Sequence, residues 1–311
     1  MKDHNLIVIL GPTASGKTRL AARLAHALQS EIISADSRQV YRRMNIGTGK
    51  DYGEYVVSGQ QVPHHLIDIA EPGMRYHVHR FMQDFFGVFD KLRAGKIIPV
   101  MCGGSGLYID SVLRNFEYAS VPNDHELRRT ISYKSYDELF EMFTMMPQTL
   151  FTPKADVSTA KRLIRAIEIN NYLLNNEFSP VSYSLVKPLI FGLSSETETR
   201  KKRIETRLKL RLKEGLIEEV KKLMGEGVKE DDLLYYGLEY KFIVQYLRGE
   251  MSYDALEELL TRAIQQFAKR QMTYFRKMEK DGHVIHWIDS AMSTDMQVEM
   301  IMKHINTNAL E

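Results

Sequence analysis

Leu6-Ile7-Val8-Ile9-Leu10 runs directly into Gly11-Pro12-Thr13-Ala14-Ser15-Gly16-Lys17-Thr18. Five consecutive apolar residues closed by Gly-Pro predict a strand buried on both faces, as in parallel sheets. Over residues 17–29, Leu20, Leu24, Ala25 and Leu28 recur at helical spacing. The octapeptide between fits G-x-x-x-x-G-K-[ST] in the strand-to-helix context that motif requires. Its glycines let backbone N–H groups turn inward around a phosphate. The helix N-terminus adds partial positive charge, Lys17 adds a full one, and the Thr18 hydroxyl suits Mg²⁺. The alternative is a strand-turn-helix junction that matches by chance.

The pattern repeats outward. Residues 31–35 predict a second strand ending at Asp36, residues 81–92 a helix, and residues 97–101 (IIPVM) a third strand. Gly103-Gly104-Ser105-Gly106 follows and opens a helix at Leu107. Strands alternating with helices give an α/β fold, a doubly wound parallel P-loop sheet. From about residue 117 the signals turn helical. Asn123 or Asp124 caps one helix, Ser135 with Glu138 forms a capping-box pattern, and Ser158 or Thr159 caps KRLIRAIEINNYLL. LIFGL, residues 189–193, returns to strand character. Residues 117–188 are therefore expected as a small helical insertion domain in a core of 1–116 and 189–311. Long helices are expected over about 196–224, 237–247 and 252–278, with a last strand at 284–288.

The chain has 311 residues, 44% apolar and 26% charged. That excludes a disordered chain, a collagen-like one and a disulfide scaffold. One cysteine, Cys102, leaves no internal disulfide or cysteine zinc site, and is expected to pack as a small apolar residue. No apolar run approaches membrane length. A cytoplasmic monomer with no membrane partner is expected. The net charge of +2 lacks the basic excess usual for nucleic-acid binding.

A P-loop protein that hydrolyses a nucleoside triphosphate ends another strand in a carboxylate that helps hold Mg²⁺. Here IIPVM runs into Cys102-Gly103-Gly104-Ser105. The cradle therefore suits a diphosphate that departs as a leaving group. Asp36 lies at the carboxyl end of the second strand, on the edge where open α/β sheets bind ligands. A carboxylate there binds metal or accepts a proton; the alternative is a turn-forming Asp. Ser105 offers a hydroxyl in a loop that allows close backbone approach, or simply a tight turn. His64 and His65 lack a third metal ligand at useful spacing, which points to local packing or substrate-loop structure.

Six segments together resemble the tRNA dimethylallyltransferase (isopentenyltransferase) family. They are GPTASGKT from Gly11, SADSRQVYRRMNIGTGK from Ser34, PHHLID from Pro63, GGSGLY from Gly103, RLIRAIE from Arg162 and AKRQMTYFR from Ala268. They fall in the family's order across most of the chain. The stretch from Asp36 to Lys50 discriminates most, since generic P-loop kinases lack it. The resemblance implies transfer of a dimethylallyl group from dimethylallyl diphosphate to N6 of the adenosine 3′ of the anticodon in tRNA, with Mg²⁺ as cofactor. It implies that Gly11, Pro12, Thr13, Ala14, Ser15, Gly16, Lys17 and Thr18 hold the diphosphate, with Thr18 on the metal. It further implies that Asp36 accepts the N6 proton and that Ser105 stands near the reacting groups, where the family usually has Thr. Ser37, Arg38 and Gln39, with Asp36, match the segment that recognises the target base. Arg162, Arg165, Lys269 and Arg270 are implied contacts to the anticodon stem-loop.

Three departures accompany the match. Gly237-Leu238-Glu239-Tyr240-Lys241 keeps the family's Tyr and basic residue, so Lys241 is expected to reach the diphosphate, but Glu239 replaces Gly. Ser158 and Thr159 stand where the family often has Asn. The insertion is short.

Charge read locally differs from the total. Residues 200–213 hold eight basic residues and one acidic, and residues 262–280 hold six and one. Tyr274 and Phe275 interleave with the second run. Basic helices neutralise RNA phosphates, and aromatics stack on unpaired bases; the alternative is a solvated helix face, with the aromatics in the core. Beside the resemblance, an RNA-facing channel is the better reading. The competing functions are a small-molecule kinase, a nucleotide-gated RNA-binding protein without catalysis, and prenylation of free adenine nucleotides.

Overall fold

The computed structural model describes residues 4–307. In chain order the elements are β1 (Leu6–Leu10), α1 (Lys17–Ala27), β2 (Ile32–Ser34), β3 (Val56–Val57), β4 (Gln60–Gln61), β5 (His64–His65), α2 (Val78–Ala94), β6 (Val100–Gly103) and α3 (Gly106–Leu113). α4 (His125–Ile131), α5 (Tyr136–Met145) and α6 (Ala160–Asn175) follow, then β7 (Pro188–Ser194). The chain continues through α7 (Thr197–Lys213), α8 (Leu216–Gly225), α9 (Glu230–Tyr235), α10 (Leu238–Leu247), α11 (Tyr253–Lys280), β8 (Ile285–Asp289) and α12 (Thr294–Thr307). It divides into two compact units, one running to Arg114 and resuming at Ser184, the other Asn115–Tyr183.

The first unit is built on a six-stranded parallel sheet of order β5-β2-β6-β1-β7-β8. β1 is central and wholly buried. Ile7 and Ile9 point into a core shared with Leu20 and Leu24 of α1 and Ile301 and Ile305 of α12. Alternation sends Leu6, Val8 and Leu10 to the opposite face, where they are equally buried, so both faces are covered, as a parallel sheet requires. No helix is long and apolar enough to cross a membrane among the described residues.

Two local readings are corrected, and one edge strand is new. The third strand begins at Val100, because Pro99 has no N–H to give a ladder. Val100 N donates to Glu31 O (3.0 Å), and Pro99 contributes only its carbonyl, to Ile7 N (3.1 Å). The expected helix over 196–224 is two helices. Gly215, at φ 98°, turns the chain between α7 and α8, in a conformation costly for other residues. The edge strand β5 went unforeseen because only two residues pair, Ile32 with His64 and Ile33 with His65. His65 Nε2 meets Glu31 Oε2 (2.6 Å) and the His64 ring lies on Tyr55 (4.3 Å), so both histidines serve packing.

The second unit is helical, with Leu139, Leu163 and Ile167 at the heart of its core. Asp124 caps α4, Ser135 and Glu138 form the capping box of α5, and Thr159 caps α6. Glu168 is fully buried and accepts from Arg128 (2.5 and 2.7 Å), Arg165 (3.4 Å) and the Asp124 amide (3.0 Å). Removing one member of such a network leaves buried charge unpaired. Glu168→Ala should therefore lower the urea-unfolding free energy by about 3–5 kcal/mol. Ser135→Ala should cost about 1 kcal/mol. Equal, small losses would show that the network carries no special weight.

Candidate active site

β1, β2 and β6 end on one edge of the sheet because they are parallel neighbours. That edge brings the phosphate loop, Asp36 and the GGSG loop together. The loop turns through Ala14 (φ 60°) and Gly16 (φ 85°) before α1 begins at Lys17. Lys17 Nζ donates to Pro12 O (3.4 Å). The Ser15 hydroxyl is buried with no hydrogen-bond partner among the described residues. A buried, unsatisfied donor inside a ring of backbone amides is what an anion would complete.

Gln271 on α11 locks this loop to the second one. Its Oε1 accepts from Thr13 N (2.9 Å) and its Nε2 donates to Gly104 O (2.8 Å). A Cβ at Gly104 would fall 2.5 Å from Gln271 Nε2, so glycine is required there for the bridge to close.

Asp36 Oδ1 accepts from Arg38 N (2.8 Å) and Gln39 N (3.3 Å), forming the turn. Oδ2 accepts no hydrogen bond among the described residues. The Ser105 hydroxyl accepts from Ser37 N (3.0 Å) and donates to Ser37 Oγ (3.3 Å), so it faces the Asp36 segment. Gln39 Nε2 donates to Gly49 O (2.9 Å).

The segment beyond Gln39 is held from outside. Glu219 of α8 accepts from three successive amides, Asn45 (2.7 Å), Ile46 (2.7 Å) and Gly47 (3.0 Å), and from Tyr240 Oη (2.8 Å). The Lys50 ammonium is buried between Tyr41 O (2.5 Å), Asn45 Oδ1 (3.2 Å) and Asp68.

α7 supplies two further cations. Arg207 donates to the Thr13 hydroxyl. Arg211 is 7% exposed and lies 3.6 Å from Asp51 Oδ1. Burial, then repulsion from Arg211, pulls the Arg207 guanidinium down to about 10. Burial likewise lowers the Lys17 ammonium, while Cys102 and Asp36 pull it back up. Burial pushes the Cys102 thiol up to about 12, so it packs rather than reacts. Burial also raises the Glu239 carboxyl, against the attraction of Arg211 and Arg207. The carboxylate at the family's Gly position is thus set among arginines rather than bare against phosphates.

The structure separates the expected residues. Lys241 is exposed on α10 and makes no polar contact with the cradle among the described residues; Arg207 is the added cation there. Arg165 is engaged within its own unit by Val121 O (2.6 Å), Pro122 O (3.2 Å) and Glu168, and Arg162 by Ser158 (2.6 Å) and Asp156 (3.1 Å). Lys269 and Arg270 are exposed on α11. The basic run on α7 is not one RNA face. Arg207 and Arg211 turn inward, Lys201 and Lys209 pair with Glu198 and Glu205, and Arg203 binds Ser290 (3.0 Å). Lys202, Arg203 and Arg207 line a groove of about 450 Å³, and Arg207 also reaches Thr13 of the cradle. Phe275 is core, and Tyr274 reaches Asp110 (3.2 Å). Gln271 and Arg207 were missed as site residues because each lay in a run read for its charge. The signal was their place on the buried face: Gln271 falls between Ala268 and Phe275, Arg207 between Ile204 and Leu208.

Gln271→Ala leaves Thr13 N and Gly104 O unpaired, which should cost about 1–3 kcal/mol of stability. It should also weaken inorganic diphosphate binding about tenfold by calorimetry. Lowered stability with unchanged diphosphate affinity would confine Gln271 to the fold.

An IPP transferase family model matches residues 39–278, and an isopentenyl transferase model residues 4–62. The chain is 46% identical over 306 residues to tRNA dimethylallyltransferase 1 of Parabacteroides distasonis, covering 98% of this chain and 99% of the relative. It is 42% identical over 291 residues to tRNA dimethylallyltransferase 2 of Shewanella sediminis, covering 94% and 95%. The crystal structure of a tRNA isopentenylpyrophosphate transferase from Bacillus halodurans superposes with a TM-score of 0.71 at 30% identity, over 98% of this chain and 96% of that one. A eukaryotic dimethylallyltransferase acting on tRNA shares the fold, with a TM-score of 0.72 at 20% identity over 92% and 74%. With the phosphate cradle, the lone Asp36 and the segment that follows it all in place, the chain belongs to the IPP transferase family.

Proposed function

We propose that this protein transfers the dimethylallyl group of dimethylallyl diphosphate to N6 of the adenosine 3′ of the anticodon in tRNA, acting as a monomer in the cytoplasm. The observation that carries the reading is the pairing of a cationic phosphate cradle with one Asp36 oxygen left without a partner across the same sheet edge. N6 attacks C1 of the donor, the C1–O bond breaks, and its electron pair leaves on the diphosphate. The N6 proton passes to Asp36 Oδ2. The adenine amine is a weak nucleophile because its lone pair is delocalised, so a positioned carboxylate assists as attack proceeds.

The loop amides, Lys17 and Arg207 stabilise charge that grows on the departing oxygen. Ser105 holds the backbone of Ser37, next to the base. Ser37 and Gln39, on either side of Arg38, meet the adenine, which must leave its stack to enter. Among the described residues no cluster of three His, Cys, Asp or Glu could hold a metal. The Thr18 hydroxyl, beside the cradle, makes no hydrogen bond to the protein among the described residues. One protein oxygen plus substrate phosphates and water is a usual Mg²⁺ environment, so the donors fit, with Thr18 holding the ion. Mg²⁺ bound there would neutralise part of the diphosphate charge.

Asp36→Asn should lower the transfer rate about 10²–10⁴-fold while anticodon stem-loop binding is kept, read by mass analysis of tRNA nucleosides. Full activity in Asp36→Asn would remove the proposed base. A second outcome concerns pH. The charged Lys17 binds the donor, and burial sets its titration below the ordinary 10.5. Donor affinity should be flat at lower pH and fall as pH rises through that depressed value. Lys17→Arg should move the fall to higher pH. A fall unchanged in Lys17→Arg would assign it to another group.

A further inference from the structure

Tyr235, at the end of α9, is 37% exposed. The Arg38 guanidinium lies 4.9 Å from its ring centroid and that of Arg75 lies 4.1 Å from it. Two cations meet at one ring, and a single carboxylate, Asp232, approaches Arg75 at 3.5 Å. Arg38 gives no side-chain hydrogen bond to the protein among the described residues. A ring face attracts a cation by about 0.5–1 kcal/mol at an exposed site. That does not remove the repulsion between the two guanidinium groups or satisfy their donors.

The arrangement is built rather than loose. The Tyr236 hydroxyl accepts from Gly73 N (2.5 Å) and donates to Met74 O (3.1 Å), which ties the Arg75 loop to α9. Tyr236 packs on Tyr235 (5.8 Å) and on buried Tyr41 (4.3 Å). Arg38 is fixed at its backbone by Asp36 Oδ1 (2.8 Å). Arg38, with no side-chain hydrogen bond to the protein among the described residues, therefore stands two residues from the proposed catalytic carboxylate, on the segment that meets the base.

We infer that Arg38, Tyr235 and Arg75 form a clamp for the RNA backbone flanking the adenosine that is turned into the site. The guanidinium groups hold phosphates, and Tyr235 sets their spacing. This rests on the tRNA-modifying function proposed above. Arg75 and Tyr235 are positioning contacts that act on RNA and not on the diphosphate donor.

The test measures binding of an anticodon stem-loop RNA across a salt series, with transfer kinetics alongside. Arg75→Ala removes an exposed side chain, so folding should be unaffected. It should weaken RNA binding roughly three- to tenfold and reduce the salt slope by about 0.7–0.9, one phosphate's share. KM for RNA should rise while KM for dimethylallyl diphosphate is kept. Tyr235→Phe, which keeps the ring, should match wild type. Tyr235→Leu should resemble Arg75→Ala. An unchanged affinity and salt slope in Arg75→Ala would overturn the clamp, as would equal losses in Tyr235→Phe and Tyr235→Leu. If wild type binds the RNA but transfers nothing, the proposed reaction fails, and the salt slopes still decide the clamp.

Discussion

The carboxamide of Gln271 joins two glycine loops that the sheet alone would leave adjacent but unlinked. It accepts from Thr13 in the phosphate cradle and donates to Gly104 beside Ser105. The cradle and the GGSG turn are thereby held as one surface, and Asp36 stands beside the GGSG turn at the end of the next strand, β2. α11 brings Gln271 there because it is buried along Ala268, Gln271 and Phe275. α7 brings Arg207 to Thr13 in the same way. The C-terminal helices thus complete a site that the P-loop core begins.

The same convergence explains the electrostatics. Lys17, Arg207 and Arg211 share a confined region with Asp36, Asp51 and Glu239. Taking that many charges out of water is costly. Burial lowers Lys17 and Arg207 and raises Glu239, so each group is held away from its ordinary charge preference. A diphosphate brings negative charge to the side where the cations lie, and its departure brings more. Such a site gains most from its ligand when the bond to carbon breaks, which is the condition for accelerating that step.

Much of this was legible in the sequence. β1 and the loop after it are local features, and their residues suffice. The capping box at Ser135 and the caps at Asp124 and Thr159 could be read because a cap is a contact within four residues. What escaped is non-local. β5 rests on two paired residues. The break at Gly215 redirects α8 so that Glu219 reaches the amides of residues 45–47, a contact across more than 170 positions. The basic run on α7 illustrates the limit. Composition places eight cations on one helix, but helical periodicity and packing divide them among cradle, ion pairs and groove. Lys241 was expected at the phosphates from its motif, yet the helix turns it to solvent. Net charge and motif position say which residues are available, and burial decides which of them reach the ligand.

The central claim is that the cradle holds a diphosphate that leaves with the reaction, and not a nucleotide awaiting hydrolysis. It is tested most directly by following diphosphate release with purified protein, in turn with dimethylallyl diphosphate, with tRNA, with both, and with ATP. The account predicts release only when donor and tRNA are both present, at one diphosphate per modified adenosine. Phosphate release from ATP without RNA, together with no diphosphate release from donor plus tRNA, would contradict it.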